Sequence, residues 1–448
     1  MLTREIAETV RREGGRALVV GGWVRDRMLG RDSKDVDIEV FGVPAPRLRE
    51  ILESLGRVEL VGEAFQVFKL GDIDVSLPRR ESKSGRGHKG FEISGDPSMS
   101  IEEAARRRDF TINAVSWDPL TEEYLDPFDG RGDLSRRTLR VVDRTTFADD
   151  SLRVLRAIQF AARFGLTLDD ETREICKHIP LDDLPAERIW GEFEKLLGAP
   201  KPSVGFALAL DLGVVDRLFP ELRALVGCPQ EPEWHPEGDV WVHTLQVIDQ
   251  ARTRVDDLER PKRLTVMLGA VCHDLGKPAT TAFSDGRIRS IDHEAQGVPP
   301  ATAFLDRINV NSIDGFDVRK HVLTIVSDHL APGMWHKSST PVGDGAFRRL
   351  AARVDLELLA RVAAADCEGR TGHFDCSAME WFRERAEALG VQHAPPSPIL
   401  LGRHLIDLGV TPGPQMGVIL KQAYEHQLDN EFTDLEGALT FARTMLES

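Results

Sequence analysis

No stretch of this chain is apolar for long enough to span a bilayer. The N-terminus has no basic region followed by an apolar core, so no secretory leader is expected and the chain reads as cytoplasmic. Cysteine is sparse. Cys176, Cys228, Cys272, Cys367 and Cys376 are odd in number, widely spaced and without metal-ligand spacing, so free thiols are expected. Internal repeats and low-complexity tracts are missing as well. Basic residues are outnumbered, 57 Lys and Arg against 73 Asp and Glu. The net charge of -16 argues against a protein that coats nucleic acid indiscriminately, but not against one that grips a single RNA end through a local patch.

The 448 residues suffice for about three domains, each with its own core. Proline and glycine punctuate the chain at Gly198-Ala199-Pro200-Lys201-Pro202, at Gly227-Cys228-Pro229-Gln230-Glu231-Pro232 and at Ala394-Pro395-Pro396-Ser397-Pro398.

The most informative stretch is Leu18-Val19-Val20-Gly21-Gly22-Trp23-Val24-Arg25-Asp26, followed by Asp35-Val36-Asp37-Ile38-Glu39-Val40. An apolar strand that runs through two glycines into a helix offers bare backbone N–H groups to an anion. In the second segment apolar and acidic residues alternate, so Asp35 and Asp37 project from one strand face and repel unless a cation bridges them. Asp72-Ile73-Asp74-Val75-Ser76-Leu77 repeats the design, and Asp74 could complete a cage of three carboxylates. Oxygen-only ligands suit Mg²⁺, shared with a substrate's phosphates. One Asp-x-Asp by itself reads more readily as a solvated edge strand; beside the diglycine turn and the second acidic strand, the metal reading is preferred.

Three further segments are ambiguous alone. Residues 79–90 are basic and glycine-rich and read as a loop beside the presumed metals, either functional or merely solvated. Arg106-Arg107-Arg108-Asp109-Phe110-Thr111-Ile112-Asn113-Ala114 offers guanidinium groups for a triphosphate, with Asp109 and Asn113 four apart on one expected helix face; a surface ion-pair cluster would look similar. Residues 149–163 read as an amphipathic helix. Val154, Leu155, Ile158, Ala161 and Ala162 share one arc, and Asp149, Arg153, Arg156, Gln159 and Arg163 share the other. A carboxylate and a guanidinium on such an arc can match the Watson–Crick edge of a base, and a salt-bridged solvent face is the plainer alternative.

In order, Gly21-Gly22-Trp23-Val24-Arg25-Asp26, Asp35-Val36-Asp37, Arg107-Arg108-Asp109-Phe110-Thr111-Ile112-Asn113-Ala114, Asp150-Ser151-Leu152-Arg153 and Glu187-Arg188-Ile189-Trp190-Gly191-Glu192 resemble the class II CCA-adding tRNA nucleotidyltransferases and their poly(A) polymerase relatives. The resemblance implies an α+β fold: a polymerase-β-like nucleotidyltransferase head with a two-metal site, then all-α neck, body and tail segments that hold the tRNA acceptor arm. It implies Asp35 and Asp37 on the metal, Mg²⁺ by their oxygen-only character, and the alternation of the second acidic strand adds Asp74 as a third catalytic carboxylate. Gly21, Gly22 and Arg25 fall at the nucleotide, Arg108, Asp109 and Asn113 at its triphosphate or ribose, and Asp150, Arg153 and Arg156 at the incoming base. Two positions depart from the family pattern: Asp149 stands where Glu is usual, and Gln159 where Arg is usual.

A second series contains His243, His273-Asp274-Leu275-Gly276-Lys277, His293-Glu294, Asp328-His329 and Asp366, and resembles the HD phosphohydrolase signature. Imidazole and carboxylate ligands on successive helices can hold one or two divalent metals, of a transition-metal type left open, and a water of lowered pKa then attacks a phosphoester. His243, His273, Asp274, His293, His329 and Asp366 are the expected ligands. His235-Pro236-Glu237-Gly238-Asp239 and residues 366–372 look like the HD-bearing CCA-adding subgroup. The expected layout is a head over 1–145, a helical neck and body for base and tRNA binding over 146–228, an HD domain over 229–375 and a helical tail over 376–448. The expected function is addition or repair of the tRNA 3′-terminal CCA from CTP and ATP, with a second activity on phosphoesters such as 2′,3′-cyclic phosphates. Poly(A) synthesis, CC-only or A-only addition, and an HD phosphohydrolase with an RNA-binding head are the alternatives.

Overall fold

Alternation of apolar residues builds the first sheet and decides which of its faces is free for chemistry. The computed structural model describes residues 2–33, 35–61, 67–83 and 91–447. It divides into two units, Met1–Ala199 with Val204–Leu218, and Pro200–Ser203 with Phe219–Ser448. The first nine strands of the first unit are β1 (Arg16–Val20), β2 (Val36–Phe41), β3 (Val58–Val61), β4 (Val67–Leu70), β5 (Ile73–Ser76), β6 (Arg79–Lys83), β7 (Phe91–Gly95), β8 (Ser116–Trp117) and β9 (Tyr124–Leu125). Seven of them form one mixed sheet in the order β3-β4-β5-β2-β1-β8-β9, with β2 and β5 parallel. Ala17, Val19, Ile38, Val40 and Val75 pack in one core with Ile6 and Val10 of the helix Leu2–Arg12 and Leu48, Ile51 and Leu52 of the helix Ala45–Leu55. Each valine, leucine or isoleucine among them contributes about 1.5–3 kcal/mol by its burial. Because strand side chains alternate, Asp37 and Glu39 are turned to the opposite face.

The basic segment after β5, expected as a loop, begins as a strand: β6 pairs antiparallel with β7, and Arg80 binds Asp96 at 2.8 Å. Residues 84–90 of that segment lie outside the described residues. The arginine-rich stretch also departs from expectation. Its helix, Ile101–Arg106, starts on a Ser100–Glu103 capping box and stops at Arg106, and Thr111–Asn113 is a separate 3-10 turn. Asp109 and Asn113 therefore do not share a helix face. Arg106 turns outward to Glu102 at 2.7 Å. The expected amphipathic helix runs from Leu152 to Phe164, with Asp149 and Asp150 ahead of it. Its five expected apolar positions are buried, and so is Gln159, which was placed on the polar arc.

The second unit is built on five helices, Val240–Arg252, Arg260–Cys272, His293–Arg307, Val318–Asp328 and Leu356–Glu368. Val247, Ile248, Met267, Leu268, Val271, Phe304, Ile325, Val326, Leu359 and Val362 are almost wholly withdrawn from water within them. A strand pair, Thr281–Ser284 with Arg287–Ser290, precedes the third helix. Toward the C-terminus, Gly402–Asp407, Pro414–Leu428 and Leu435–Glu447 are helical, as expected, and gather Leu405, Ile419, Ala423, Ala438 and Ala442 into a separate small core. The fold is α+β, and no helix among the described residues is long and apolar enough to cross a membrane.

The cysteines correct the expectation of five free thiols. Cys367 is bonded to Cys376, while Cys176, Cys228 and Cys272 are free and buried. Burial pushes the Cys176 thiol up to about 12, so it is not a nucleophile at neutral pH. Adjacent spacing could not reveal the pair, because the chain turns after Glu368 to bring Cys376 back. A loop closed over a separation of nine residues is worth about 2.5 kcal/mol in unfolded-state entropy. Cys376→Ser is therefore expected to lower the unfolding midpoint of the second unit by several degrees, and reductant should bring the wild type to the same midpoint while leaving the variant unmoved in calorimetry.

Candidate active sites in the two units

In the first unit, register brings the acids together. The parallel pairing of β2 with β5 sets Asp37 directly beside Asp74, and β1 sets Val20 beside Asp37 on its other flank. Asp35 lies just ahead of β2. Gly21 follows β1 with φ 73°, a conformation that favours glycine, and a β-carbon there would lie in ordinary contact with Arg108 Nη1 at 3.4 Å and Asp37 Oδ2 at 3.5 Å. Asp37 keeps solvent access, yet the walls around its carboxyl push its pKa up, Asp74, Glu39 and Asp35 push it further, and Arg108 opposes them. Excess negative charge at this point is what a bound cation relieves, so these residues fit a divalent metal. They are less converged than ligands gathered in advance: among the described residues, no set containing Asp35, Asp37 and Asp74 brings its oxygens within 4.8 Å of one another.

Beside Asp37 opens a cleft of about 470 Å³. Gly21, Gly22, Arg25, Arg108, Asp109, Asn113, Asp150, Arg153 and Arg156, all of the expected nucleotide residues, line it. Arg107, Arg163, Arg188 and Lys195 line it too, so cations outnumber acids there although the chain as a whole is acidic. The floor is a buried relay. Arg25 donates to Asp26 at 2.8 Å and to Asn113 Oδ1 at 2.9 Å, Asn113 Nδ2 donates to Asp109 at 2.9 Å, and Arg156 Nε donates to the other Asp109 oxygen at 2.7 Å. Phe164 and Phe160 stack against the Arg25 guanidinium at 4.4 and 5.2 Å. Burial alone would raise the Asp109 carboxyl, but Arg156 and Asn113 outweigh it and hold it below its ordinary value.

Asp150 and Arg153 do not pair with each other. Asp150 takes both arms of Arg188, at 3.1 and 2.9 Å, and Arg153 donates to the carbonyls of Thr146 at 3.1 Å and Arg107 at 2.9 Å. Gln159 accepts from Arg163 at 3.1 Å. Sequence reasoning quoted Arg188 within a motif but gave it no task. Its partner lies 38 residues upstream, and no periodicity links the two.

In the second unit the six expected residues converge from five helices and their ends. His243 is in the first turn of Val240–Arg252, His273 and Asp274 end Arg260–Cys272, His293 opens His293–Arg307, His329 follows Val318–Asp328, and Asp366 is in the last turn of Leu356–Glu368. Gly276 permits the closeness: a β-carbon there would stand 1.9 Å from the His293 carbonyl oxygen and 2.5 Å from Gly297 N. His243 Nε2 is 2.9 Å from Asp366 Oδ1, His273 Nε2 is 3.2 Å from Asp274 Oδ2, and His293 Nε2 is 3.4 Å from Asp274 Oδ1. Asp328, quoted with His329 in the sequence, points away to Arg353 at 2.7 Å.

Three of the histidines are oriented alike. His273, His293 and His329 place Nδ1 on the carbonyls of Ala270 at 2.8 Å, Ser290 at 2.8 Å and Val326 at 3.0 Å. A carbonyl only accepts, so Nδ1 carries the proton and Nε2 turns a lone pair inward. His273 Nε2, His293 Nε2 and Asp274 Oδ1 are buried and have no hydrogen-bond partner. Orphaned lone pairs of this kind are costly unless a cation takes them, so the donor set fits a divalent metal. Burial, with His273 nearby, lowers His329 to about 4 and keeps it neutral as a ligand must be. Burial would raise Asp274, but His273 and Lys277 hold it well below the usual carboxylate range. A cavity of about 380 Å³ opens from this centre, lined also by Lys277, His235, Trp234, Lys337 and Arg370. Lys277 bridges Asp274 at 2.7 Å and Gln230 at 2.7 Å, a role the sequence reading did not assign.

The two sites define a nucleotidyltransferase head coupled in one chain to a hydrolase-type centre. The Poly A polymerase head domain family matches residues 17–140, the family described as a probable RNA and SrmB-binding site of polymerase A matches 165–225, and the HD domain family matches 240–368. Both the head and the HD domain imply use of divalent metal. A multifunctional CCA protein of Xanthomonas campestris pv. campestris is 35% identical over 90% of this chain and 96% of its own. One of Stenotrophomonas maltophilia is 40% identical over 65% and 71%. The chain belongs to the multifunctional CCA protein family. Among solved structures, a CCA-adding enzyme with CTP superposes with a TM-score of 0.63 at 20% identity, over 100% of this chain and 95% of that one. The Thermotoga maritima CCA-adding enzyme complexed with tRNA gives 0.58 at 20% identity, over 99% and 95%, which is likeness of fold.

Proposed function

We propose that the first unit adds or repairs the 3′-terminal CCA of tRNA from CTP and ATP, and that the HD centre of the second unit hydrolyses phosphoesters of the 2′,3′-cyclic phosphate class. The observation that carries the first half is the single cationic cleft in which nine nucleotide-binding candidates meet Asp37. Asp35 and Asp37 hold Mg²⁺, with Asp74 as the third carboxylate. A divalent ion held by these carboxylates would supply charge neutralisation at the triphosphate and favour ionisation of the attacking 3′-hydroxyl. The chain's own groups do the rest. Arg108 and Arg25 face the phosphates, the Asn113–Asp109–Arg156 relay fixes the sugar side of the cleft, and Asp150 and Arg153 offer acceptor and donor atoms to the base edge, Asp150 being oriented by Arg188.

In the second unit His243, His273, Asp274, His293, His329 and Asp366 would hold a divalent transition metal, which would supply a water of lowered pKa and polarise the phosphoester. Lys277 restrains Asp274. We assign the head to 1–145, the helical neck and body to 146–228, the HD domain to 229–375 and the tail to 376–448, and place the protein in the cytoplasm. The test is product length. With Mg²⁺, CTP and ATP, tRNAs ending before CCA, after C and after CC should gain three, two and one nucleotides and then stop on a sequencing gel. A long adenosine ladder would instead make it a poly(A) polymerase. Arrest after CC, or addition of A alone, would make it a specialist and implicate Asp149 and Gln159.

A further inference from the structure

One histidine of the HD centre is oriented differently from the rest. His243 places Nδ1 not on a carbonyl but on Glu237 Oε1, at 2.8 Å. The Glu237 side chain has no exposed surface, and its carboxylate is used to the full: His235 Nδ1 lies 2.9 Å from the same oxygen, and the backbone N–H of Thr371 donates to Oε2 at 3.1 Å. Thr371 follows Arg370, which lines the cavity and donates to the Cys367 carbonyl oxygen at 3.3 Å. One buried carboxylate thus joins the residues before the first helix, the His243 ring and the turn after Asp366.

We propose that Glu237 is the positioning residue of this centre, fixing His243 with its Nε2 lone pair toward Asp366 and Asp274 and adding a negative charge immediately behind one ligand. The proposal rests on reading the centre as a divalent-metal site. Neutral carbonyls orient the other three rings, so Glu237 alone strengthens the ligand it holds by charge. Ligation by Glu237 itself is the competing arrangement, since His235, Glu237 and His243 also bring their ligand atoms within 4.8 Å. Three donors already converge on this carboxylate. A metal on His243 Nδ1 would moreover leave the proton on Nε2, facing Asp366 Oδ1 at 2.9 Å, and so withdraw His243 from the six-residue centre as a ligand.

Metal-depleted full-length protein titrated with Co²⁺ tests this, read by visible absorption for nitrogen ligation and by calorimetry for affinity and stoichiometry. Glu237→Ala is expected to weaken Co²⁺ binding by about tenfold to a hundredfold and to alter the absorption band, at unchanged stoichiometry. Glu237→Gln, which can still accept from His243 Nδ1 but lacks the charge, is expected to keep the wild-type band and lose a smaller factor. That graded pattern is one a merely structural role would not give, and the isosteric Gln variant decides the matter if the Ala variant fails to fold. Wild-type affinity and spectrum in Glu237→Gln and Glu237→Ala would overturn the proposal. Loss of one equivalent of Co²⁺ with the remainder bound at full strength would overturn it in favour of ligation. Failure of the wild type itself to bind Co²⁺ would overturn the metal reading of the centre, an outcome distinct from either.

Discussion

Asp37→Ala is expected to abolish nucleotide incorporation on every tRNA acceptor while leaving phosphoester hydrolysis untouched. Asp37 is the one member of the acidic trio that both lines the cleft and lies in register with Asp74. Several kcal/mol of charge stabilisation in the transition state depend on such a carboxylate, and at about 1.4 kcal/mol per decade the loss is on the order of a thousandfold or more. The fold should not suffer. In the folded protein the Asp37 carboxyl has its pKa raised, so its ionised form opposes folding: that opposition is absent below the ordinary carboxylate pKa and sets in as pH rises through the folded value. At neutral pH without divalent metal, the unfolding midpoint of the variant should therefore equal or exceed that of the wild type. A variant that loses activity because it unfolds earlier would contradict this account, as would one that retains incorporation.

The mirror experiment is Asp274→Asn. Phosphoester hydrolysis should fall by about a thousandfold on the same arithmetic, and CCA addition should remain. Asp274 is buried between His273, His293 and Lys277, so unlike Asp37 it also carries structural weight. Neutralising it removes the charge opposite the buried Lys277 cation, 2.7 Å away, and breaking a buried ion pair in this way costs about 3–5 kcal/mol. Scanning calorimetry should show an earlier transition in the second unit than in wild type. Hydrolysis that survives Asp274→Asn would remove this residue from the centre. Loss of CCA addition along with hydrolysis would mean that the two chemistries are not separable by single substitutions.

Two signals in the sequence were legible: the ordered motifs, which named the residues that gather in each site, and local periodicity, which told the buried positions from the free ones. Alternation along β2 foretold that Ile38 and Val40 would be buried and Asp37 turned the other way, and the 100° rule placed Val154, Leu155, Ile158, Ala161 and Ala162 inside. Where periodicity was asked to do more, it failed. Gln159 lies on the polar arc of its helix yet is buried under Arg163, and Asp109 reaches Asn113 across the end of one helix and a 3-10 turn. Long-range partners left no local trace. Arg188 meets Asp150 across 38 residues, Glu237 meets Thr371 across 134, and the Cys367–Cys376 bond depends on a turn that spacing does not specify. The one signal for Glu237 was its place in His235-Pro236-Glu237-Gly238-Asp239, which resembles the HD-bearing subgroup without assigning this residue a task.

The convergence of the HD ligands has a consequence for how the chain holds itself together. His243 and Asp366 are 123 positions apart, and their ligand atoms come close only when all the intervening helices are in place. An unfolded chain offers no such cage, so a bound ion acts on the folding equilibrium by mass action: free metal at a hundred times its dissociation constant adds about 2.7 kcal/mol to native stability. An ion held by these six residues would therefore stabilise the second unit as well as serve its catalysis, and stripping divalent metal with a chelator should lower the unfolding midpoint of that unit.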